Sequence, residues 1–182
     1  MQEAREVEVD LIGRCQRGEH GAFDILYDRF GDAVWRLCRR MAGNPTIAED
    51  IAQDVWVTVW QQIGSFRCEA AFRTWLYRIA SNACLQWLRK RVNQEASSMQ
   101  KDCSAPSPTP EAEVCEKENV RGLLTAFGAL SDSLRLPLAL RVDEGLSYAE
   151  IAQILDCSAA AVKTRISRAR AALAEATKEE TT

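Results

Sequence analysis

Apolar residues recur at intervals of three and four along almost the whole chain, and this spacing is the period of an α-helix. The alternation of apolar and polar residues that is typical of a β-strand is scarcely seen. Of the 182 residues, 47% are hydrophobic, so cores can form without the support of metals or disulfides. We therefore predict an all-α protein.

The helical period stops once, between Asn93 and Glu111, where three prolines alternate with Ser and Thr. Proline has no backbone N–H to donate and holds the chain extended, so this stretch is typical of a flexible linker. The sequence thus predicts two small helical domains, at residues 1–93 and 113–182, joined by a linker at 94–112. Each domain is near the lower end of the usual size range.

The cysteines and the single histidine do not form a recognisable site. Seven cysteines are scattered without a Cys-x-x-Cys pair, their number is odd, and His20 has no second histidine nearby. This pattern argues against a disulfide framework and against zinc. We predict reduced cysteines and neither a metal nor another cofactor.

The charge is unevenly distributed. Net charge is −3 and the pI about 5.4, values that argue against a non-specific nucleic-acid coat protein, yet basic residues are concentrated in Arg67 to Arg91 and Lys163 to Arg170. Those two segments are the candidate phosphate-binding regions. Neither a signal peptide nor an apolar run long enough for a membrane span is seen, so we expect a cytoplasmic protein.

The first domain should contain two amphipathic helices before its basic segment. The buried stripe of the earlier helix is predicted to comprise Phe23, Leu26, Tyr27, Phe30, Val34, Leu37, Cys38 and Met41. The later helix opens at Pro45 and Thr46, with Thr46 and Glu49 in capping-box spacing, and runs to about Ile63. Its core side holds Ile51, Val55, Trp56, Val59 and Ile63. Its outward side holds Asp50, Gln53, Asp54, Val57 and Gln61.

A loop at Gly64 to Ala71 leads into a third helix that ends in Arg89-Lys90-Arg91. Its inward stripe is predicted to be Phe72, Leu76, Ile79, Ala83 and Trp87. The outward side should present Thr74, Tyr77, Arg78, Ser81 and Arg89. A basic helix with aromatic residues suits single-stranded nucleic acid, because cations contact phosphates and flat rings stack on bases. An ordinary helix with a solvated charged face is the alternative.

The C-terminal domain contains the sharpest local signal. Ser147 and Glu150 have capping-box spacing, and Leu146 and Ile151 occupy hydrophobic-staple positions. After a tight Asp156-Cys157 turn, Ser158 caps a second helix, which gives the proportions of a helix-turn-helix. The second helix buries Val162, Ile166, Ala169 and Leu173. It presents Lys163, Thr164, Ser167 and Arg168 on the side that could enter a major groove.

From Ser158 to Ala174 no residue is acidic, whereas four are basic: Lys163, Arg165, Arg168 and Arg170. This composition suits phosphate contact and the reading of base edges. A plain basic helical hairpin remains the alternative.

Four ordered motifs make the chain resemble the extracytoplasmic-function (ECF) sigma factors of bacterial RNA polymerase, within the sigma-70 family. They are the stretches Ala48 to Trp56, Phe72 to Asn82, Gly145 to Ala152, and Val162 to Arg165 with Arg168 to Arg170. They span nearly the whole chain, across the linker. The resemblance implies a non-enzymatic specificity subunit that directs promoter recognition and transcription initiation.

The resemblance also implies partners and site residues. The partners are core RNA polymerase, promoter DNA and an anti-sigma factor that can be membrane-anchored, with no small-molecule substrate. Core polymerase would meet Asp50, Gln53, Asp54 and Val57. The melted minus-10 element would meet Ser65, Phe66, Arg67, Trp75, Tyr77, Arg78 and Asn82. The minus-35 element would meet Lys163, Thr164, Arg165, Ser167, Arg168 and Arg170.

Two departures from the family pattern concern the second domain. Ala160-Ala161 stand where the family usually has Gly-Thr, which could shift the start of the recognition helix on the phosphates. Leu130-Ser131-Asp132 replaces the usual Leu-Pro start, and Pro137 lies further along. If Pro137 falls beyond the first turn of a helix, it removes a hydrogen bond and kinks that helix.

Two other functions compete with this interpretation. A stand-alone helix-turn-helix regulator would bind duplex promoter DNA tightly without polymerase. An enzyme is disfavoured, because His20 has no nucleophile partner and the chain lacks both a Gly-rich phosphate loop and metal-ligand spacing.

Overall fold

The computed structural model describes the backbone of residues 2–97 and 114–179, and the side chains of residues 7–91 and 122–176. Within these ranges the chain forms α-helices and one 3₁₀ turn at Ile63–Ser65, with no strand, which confirms the all-α prediction. The helices are α1 (Gln2–Gln16), α2 (His20–Ala42), α3 (Pro45–Gln62), α4 (Phe72–Ser97), α5 (Val114–Ala129), α6 (Asp132–Val142), α7 (Tyr148–Ile154) and α8 (Ala159–Glu179).

The chain divides into two compact units, Met1–Trp87 and Leu88–Thr182. This agrees with two helical domains. Helix α4 continues to Ser97, so the first residues of the predicted linker are helical rather than extended. Residues 98–113, with the alternating prolines, lie outside the described part of the chain.

In the first unit, α2 is followed by Gly43, whose positive φ of 74° places it in the left-handed region that favours glycine. The next helix is capped by Asn44, whose side chain accepts a hydrogen bond from the backbone N–H of Ile47, with Pro45 at the first helical position. The prediction of Thr46 as the cap was therefore wrong. Asn44 is an equally good capping residue and directly precedes the proline, which already has a helical φ.

The buried face of α2 agrees with the sequence pattern except at Tyr27. Leu26, Val34 and Leu37 are fully enclosed, whereas Tyr27 is 51% exposed and was wrongly placed in the core. Its ring instead lies against Trp56 of α3, with centroids 5.1 Å apart. A large ring can be half covered by one neighbour while its hydroxyl stays in water, so the residue type does not decide full burial.

Helix α4 is rotated from the predicted orientation by about a quarter turn. Thr74, Tyr77 and Ser81 were predicted to face outward, but they are 7%, 1% and 1% exposed. Cys84 is also buried, with its sulfur 3.9 Å from that of Cys38 in α2. The predicted inward residues Ile79, Ala83 and Trp87 are half-buried. The apolar arc of this helix is wide, and its periodicity alone fits both orientations.

The second unit packs α5, α6 and α7 against α8. Its core is built from apolar side chains of α6, α7, α8 and the loop before α7, among them Leu136, Leu140, Leu146, Ile151 and Ile166. Pro137 lies inside α6, beyond the first turn, so the carbonyl of Ser133 lacks its usual N–H partner. The helix nevertheless continues to Val142, and Pro137 itself is buried in the core.

Candidate nucleic-acid and protein interfaces

Helix α3 has one buried side and one polar side. Asp50, Gln53, Asp54, Val57 and Gln61 are all exposed, as predicted, whereas the opposite stripe from Ile51 to Ile63 is buried. Val57 is 55% exposed in the middle of this acidic face. An apolar side chain among carboxylates offers a partner both a desolvated contact and charge complementarity.

An aromatic cluster borders the acidic face, and sequence reasoning missed it. Phe23 of α2 stands edge-on to Trp56 and Trp60 of α3, with ring centroids 5.7 and 4.9 Å apart. His20 lies 5.2 Å from Trp60, and Tyr27 packs on Trp56. The signal was present as aromatic residues at i, i+4 spacing on both helices, but the sequence does not say that the two pairs meet.

The loop between α3 and α4 begins with the 3₁₀ turn Ile63–Ser65. Phe66 is buried between the rings of Phe72 and Trp75, with centroids 5.8 and 4.9 Å away. Phe66 therefore anchors the loop, while Ser65 and Arg67 are exposed beside it. The hydroxyl of Ser65 donates to the carbonyl of Gln62 at 2.8 Å.

The predicted minus-10 residues of α4 divide into exposed and buried positions. Arg78 and Asn82 are exposed, and Trp75 is half-buried. Tyr77 is enclosed, with the Arg73 guanidinium 5.6 Å from its ring centroid. In this conformation the ring cannot stack on a base, so its predicted exposure was wrong.

The helix-turn-helix begins as predicted. Ser147 accepts a hydrogen bond from the backbone N–H of Glu150 at 3.2 Å, and the Glu150 carboxylate accepts from the N–H of Ser147 at 2.7 Å. These two bonds form the complete capping box. The flanking Leu146 and Ile151 are fully buried, as hydrophobic-staple residues should be.

The turn between α7 and α8 is closed by local bonds. Asp156 has a positive φ of 49°, which Asp tolerates better than most residues, and the N–H of Cys157 donates to the carbonyl of Ala152. Ser158 then caps α8 by accepting from the N–H of Ala161 at 3.1 Å. Ala160-Ala161 thus lie in a normally capped first turn.

Helix α8 has the predicted two sides. Val162, Ile166 and Ala169 are buried, and Leu173 is half-buried. Arg165 is half-buried and directs its guanidinium to the sulfur of Cys157, 3.8 Å away. The remaining predicted minus-35 residues are all exposed: Lys163, Thr164, Ser167, Arg168 and Arg170.

The thiols and carboxylates of the described residues do not converge on a metal site. In that part of the chain, no group of three or more His, Cys, Asp or Glu side chains is placed to hold a metal ion. None of the cysteines whose side chains the structure describes forms a disulfide: Cys15, Cys38 and Cys84 are buried, and Cys68 and Cys157 are half-buried. No helix within the described ranges combines the length and apolarity needed to cross a bilayer.

Comparison with known proteins identifies the family. Residues 26–94 match the model of Sigma-70 region 2, and residues 121–173 match that of Sigma-70 region 4. The chain is 34% identical to the ECF sigma factor SigW of Bacillus subtilis, over 89% of this chain and 92% of SigW. The chain belongs to the ECF sigma factors. This sigma factor is also 32% identical to the sigma-H factor of Pseudomonas aeruginosa, over 94% of each chain.

Two solved structures resemble this sigma factor. CnrH, in complex with the cytosolic domain of CnrY, shares 26% identity with a TM-score of 0.67, covering 92% of this chain and 95% of CnrH. RpoE of Bartonella quintana, in complex with the anti-sigma factor NepR, shares 25% identity with a TM-score of 0.71, covering 86% of this chain and 96% of RpoE. As a sigma factor, the chain directs promoter recognition by core RNA polymerase.

Proposed function

We propose that this sigma factor divides its work between three surfaces. The acidic face of α3 docks on core RNA polymerase, the α3–α4 loop with the exposed side of α4 meets the melted minus-10 element, and the outward face of α8 reads the minus-35 element. The first two belong to a domain at residues 1–93 and the third to a domain at 113–182. The protein acts in the cytoplasm, where polymerase is, and has no catalytic activity of its own.

The observation that carries the proposal is the two-sided character of α8. Its inner side is closed by buried Val162, Ile166 and Ala169, and its outer side presents three exposed cations without an acid before Glu175. The capped turn before it gives α8 a defined starting point. A rigid helix with hydroxyl and basic side chains on one side can lie in a major groove and reach both phosphates and base edges.

The acidic face of α3 supports the docking role. Asp50 and Asp54 are one turn apart, both exposed, and Val57 lies beside them. Carboxylates that meet cations of a partner accelerate association and select its orientation, while the apolar side chain gains from losing water.

Charge reversal tests the docking role. The double variant D50R/D54R should bind core polymerase at least about tenfold more weakly, because two attractive contacts become repulsive. The matched control is D28R/D32R, which reverses two exposed carboxylates with the same spacing on α2. Circular dichroism checks that both variants keep their helical content. Equal affinity of the two variants for core polymerase would contradict the docking role of the acidic face of α3.

A transcription assay distinguishes a sigma factor from a stand-alone regulator. Core polymerase with this chain should initiate at discrete promoters, which sequencing of the transcripts identifies. The chain without polymerase should bind the same duplexes weakly. Two results together would support a stand-alone helix-turn-helix regulator instead. The chain would bind duplex DNA tightly and specifically without core polymerase, and core polymerase with the chain would produce no new start sites.

We further propose that an anti-sigma protein holds the factor inactive. The support is that two proteins of the same fold were each solved with a partner, CnrH with the cytosolic domain of CnrY and RpoE with the anti-sigma factor NepR. Two domains joined by a Pro-containing linker can be clamped together by one partner that covers their polymerase and DNA faces. Affinity purification from uninduced native cells should yield a complex with that partner. Recovery of only free factor or holoenzyme would oppose the idea.

A further inference from the structure

The start of the α3–α4 loop is held by a residue from a distant part of the chain. The side-chain amide of Gln16, the last residue of α1, donates to the carbonyl of Ile63 at 3.0 Å and to the carbonyl of Phe66 at 2.8 Å. The two carbonyls lie at the two ends of one 3₁₀ turn. A single –NH₂ group, which has two N–H donors, therefore bridges the whole turn.

The two carbonyls lie at the ends of α3 and of the 3₁₀ turn, where the helix itself supplies few N–H donors. The last carbonyls of a helix have no N–H partner further along the helix, so they must find another. The carbonyl of Ile63 accepts one bond from the N–H of Phe66 within the turn, at 3.1 Å, and Gln16 supplies its second. The opposite orientation of the amide would bring its oxygen against two carbonyl oxygens, so only the donating orientation is stable.

Gln16 acts from a fixed position. Its neighbours Ile12 and Cys15 are buried in the first unit, and burial raises the pKa of the Cys15 thiol. Gly18, two residues past the helix end, has a positive φ of 83°, and Arg14 pairs with Glu19 across that end at 2.8 Å. The hydrogen bond from Arg14 lowers the pKa of the Glu19 carboxyl. A well-anchored helix end therefore holds the amide against the loop.

The held turn leads directly to the residues assigned to the minus-10 element. Ser65 lies inside it, Phe66 closes it, and the exposed Arg67 follows. The Phe66 ring is fixed by Phe72 and Trp75, so the side chain is held by packing and the backbone carbonyl by Gln16. The loop is thus positioned before DNA arrives, which reduces the entropy lost on binding.

We propose that Gln16 is a positioning residue for promoter melting, which sets the conformation of the minus-10 loop from α1 without touching DNA. The inference rests on the proposed function of that loop. It predicts that minus-10 preference and open-complex formation depend on the two N–H donors at position 16, whereas core binding and minus-35 preference do not.

The test uses full-length variants assembled with core polymerase. Gln16→Met keeps the approximate volume but removes both donors, Gln16→Glu places a carboxylate against two carbonyls, and Gln16→Lys restores N–H donors on a flexible stem. The matched control is Gln62→Met, at an exposed glutamine of the same region. Open complexes are measured by permanganate reactivity of melted thymines, and base preference with a promoter library randomised at minus-10 and minus-35.

Gln16→Met should slow open-complex formation by roughly tenfold, since two neutral hydrogen bonds are lost, and should flatten minus-10 preference. Gln16→Glu should be at least as impaired, and Gln16→Lys should recover much of the activity. Core affinity and minus-35 preference should stay as in Gln62→Met. A loss that also extends to core affinity and that Lys does not rescue would reduce Gln16 to a purely structural role and overturn the proposal.

Arg67→Ala, assayed in parallel, distinguishes a failure of the role proposed for Gln16 from a failure of the minus-10 assignment of the loop. If Arg67→Ala alters minus-10 preference while Gln16→Met and Gln16→Glu behave like Gln62→Met, the role of Gln16 is refuted and the loop keeps its proposed function. If neither position affects minus-10 preference, the loop assignment itself fails and the role of Gln16 fails with it.

Discussion

Replacement of Arg168 by Ala is the most direct test of how α8 reads DNA. Val162, Ile166 and Ala169 mark the buried side of the helix. At about 100° per residue, Arg168 lies roughly 130° from the centre of that stripe and Arg170 about 70°. Both side chains are exposed, but Arg168 points further from the core of the domain. We therefore expect Arg168 to contact base edges and Arg170 to contact the flanking phosphates.

The two substitutions should change different properties of promoter binding. If Arg168 pairs bidentately with a guanine, its loss should cost about 1–3 kcal/mol, which is about 5-fold to about 140-fold in affinity at the preferred promoter. The preference should relax at one or two minus-35 positions only. Loss of Arg170 should weaken all promoters about equally and should lower the salt slope by about one unit, since one phosphate contact disappears.

The assay is transcription from a library randomised across the minus-35 element, with holoenzyme containing each variant at two salt concentrations. Ala171→Ser, an exposed position on the same helix that carries no charge, serves as the control. The reasoning is refuted if Arg168→Ala lowers every promoter uniformly while Arg170→Ala changes base preference. The helix would then lie in the groove about a quarter turn away from the orientation that points Arg168 at the bases.

Two further predictions concern stability and thiol exposure. Ser147→Ala should lower the free energy of unfolding by about 1 kcal/mol, because the N–H of Glu150 loses its capping acceptor. The control Ser133→Ala, inside α6, should change the free energy of unfolding less. Equal changes of the two variants in thermal unfolding would contradict the stabilising role of the capping box. A thiol reagent should label the half-buried Cys68 and Cys157 before the buried Cys15, Cys38 and Cys84, as peptide mass spectrometry can measure. Equally early labelling of the buried thiols would contradict this order and show that the first unit opens readily.

The helix-turn-helix was predictable in detail because its determinants are local. The capping box of α7 joins residues three apart, and Ser158 caps α8 in the same way. Inward and outward sides then follow from the helical period, so the exposed face of α8 could be read from the sequence. The same holds for α3, whose polar residues lie on one side and whose apolar residues, apart from the exposed Val57 and Trp60, lie on the other.

Helix α4 shows where this reasoning fails. Its apolar arc is wide enough for two orientations, and only packing against its neighbours, with Cys84 beside Cys38 and Phe72 beside Phe30, decides between them. That packing buries Tyr77, which the pattern had placed outward. Amphipathic period determines the direction of burial only when the polar arc is broad.

What the sequence by itself determined is the helical class, the division into two units, the capped turn before α8 and the faces of α3 and α8, since each depends on residues a few positions apart. The tertiary structure alone decided the rotation of α4, the meeting of the aromatic cluster and the bridge from Gln16 to a turn 47 to 50 residues away. A side-chain amide can bond any carbonyl within reach, and only the folded chain brings that carbonyl within about 3 Å.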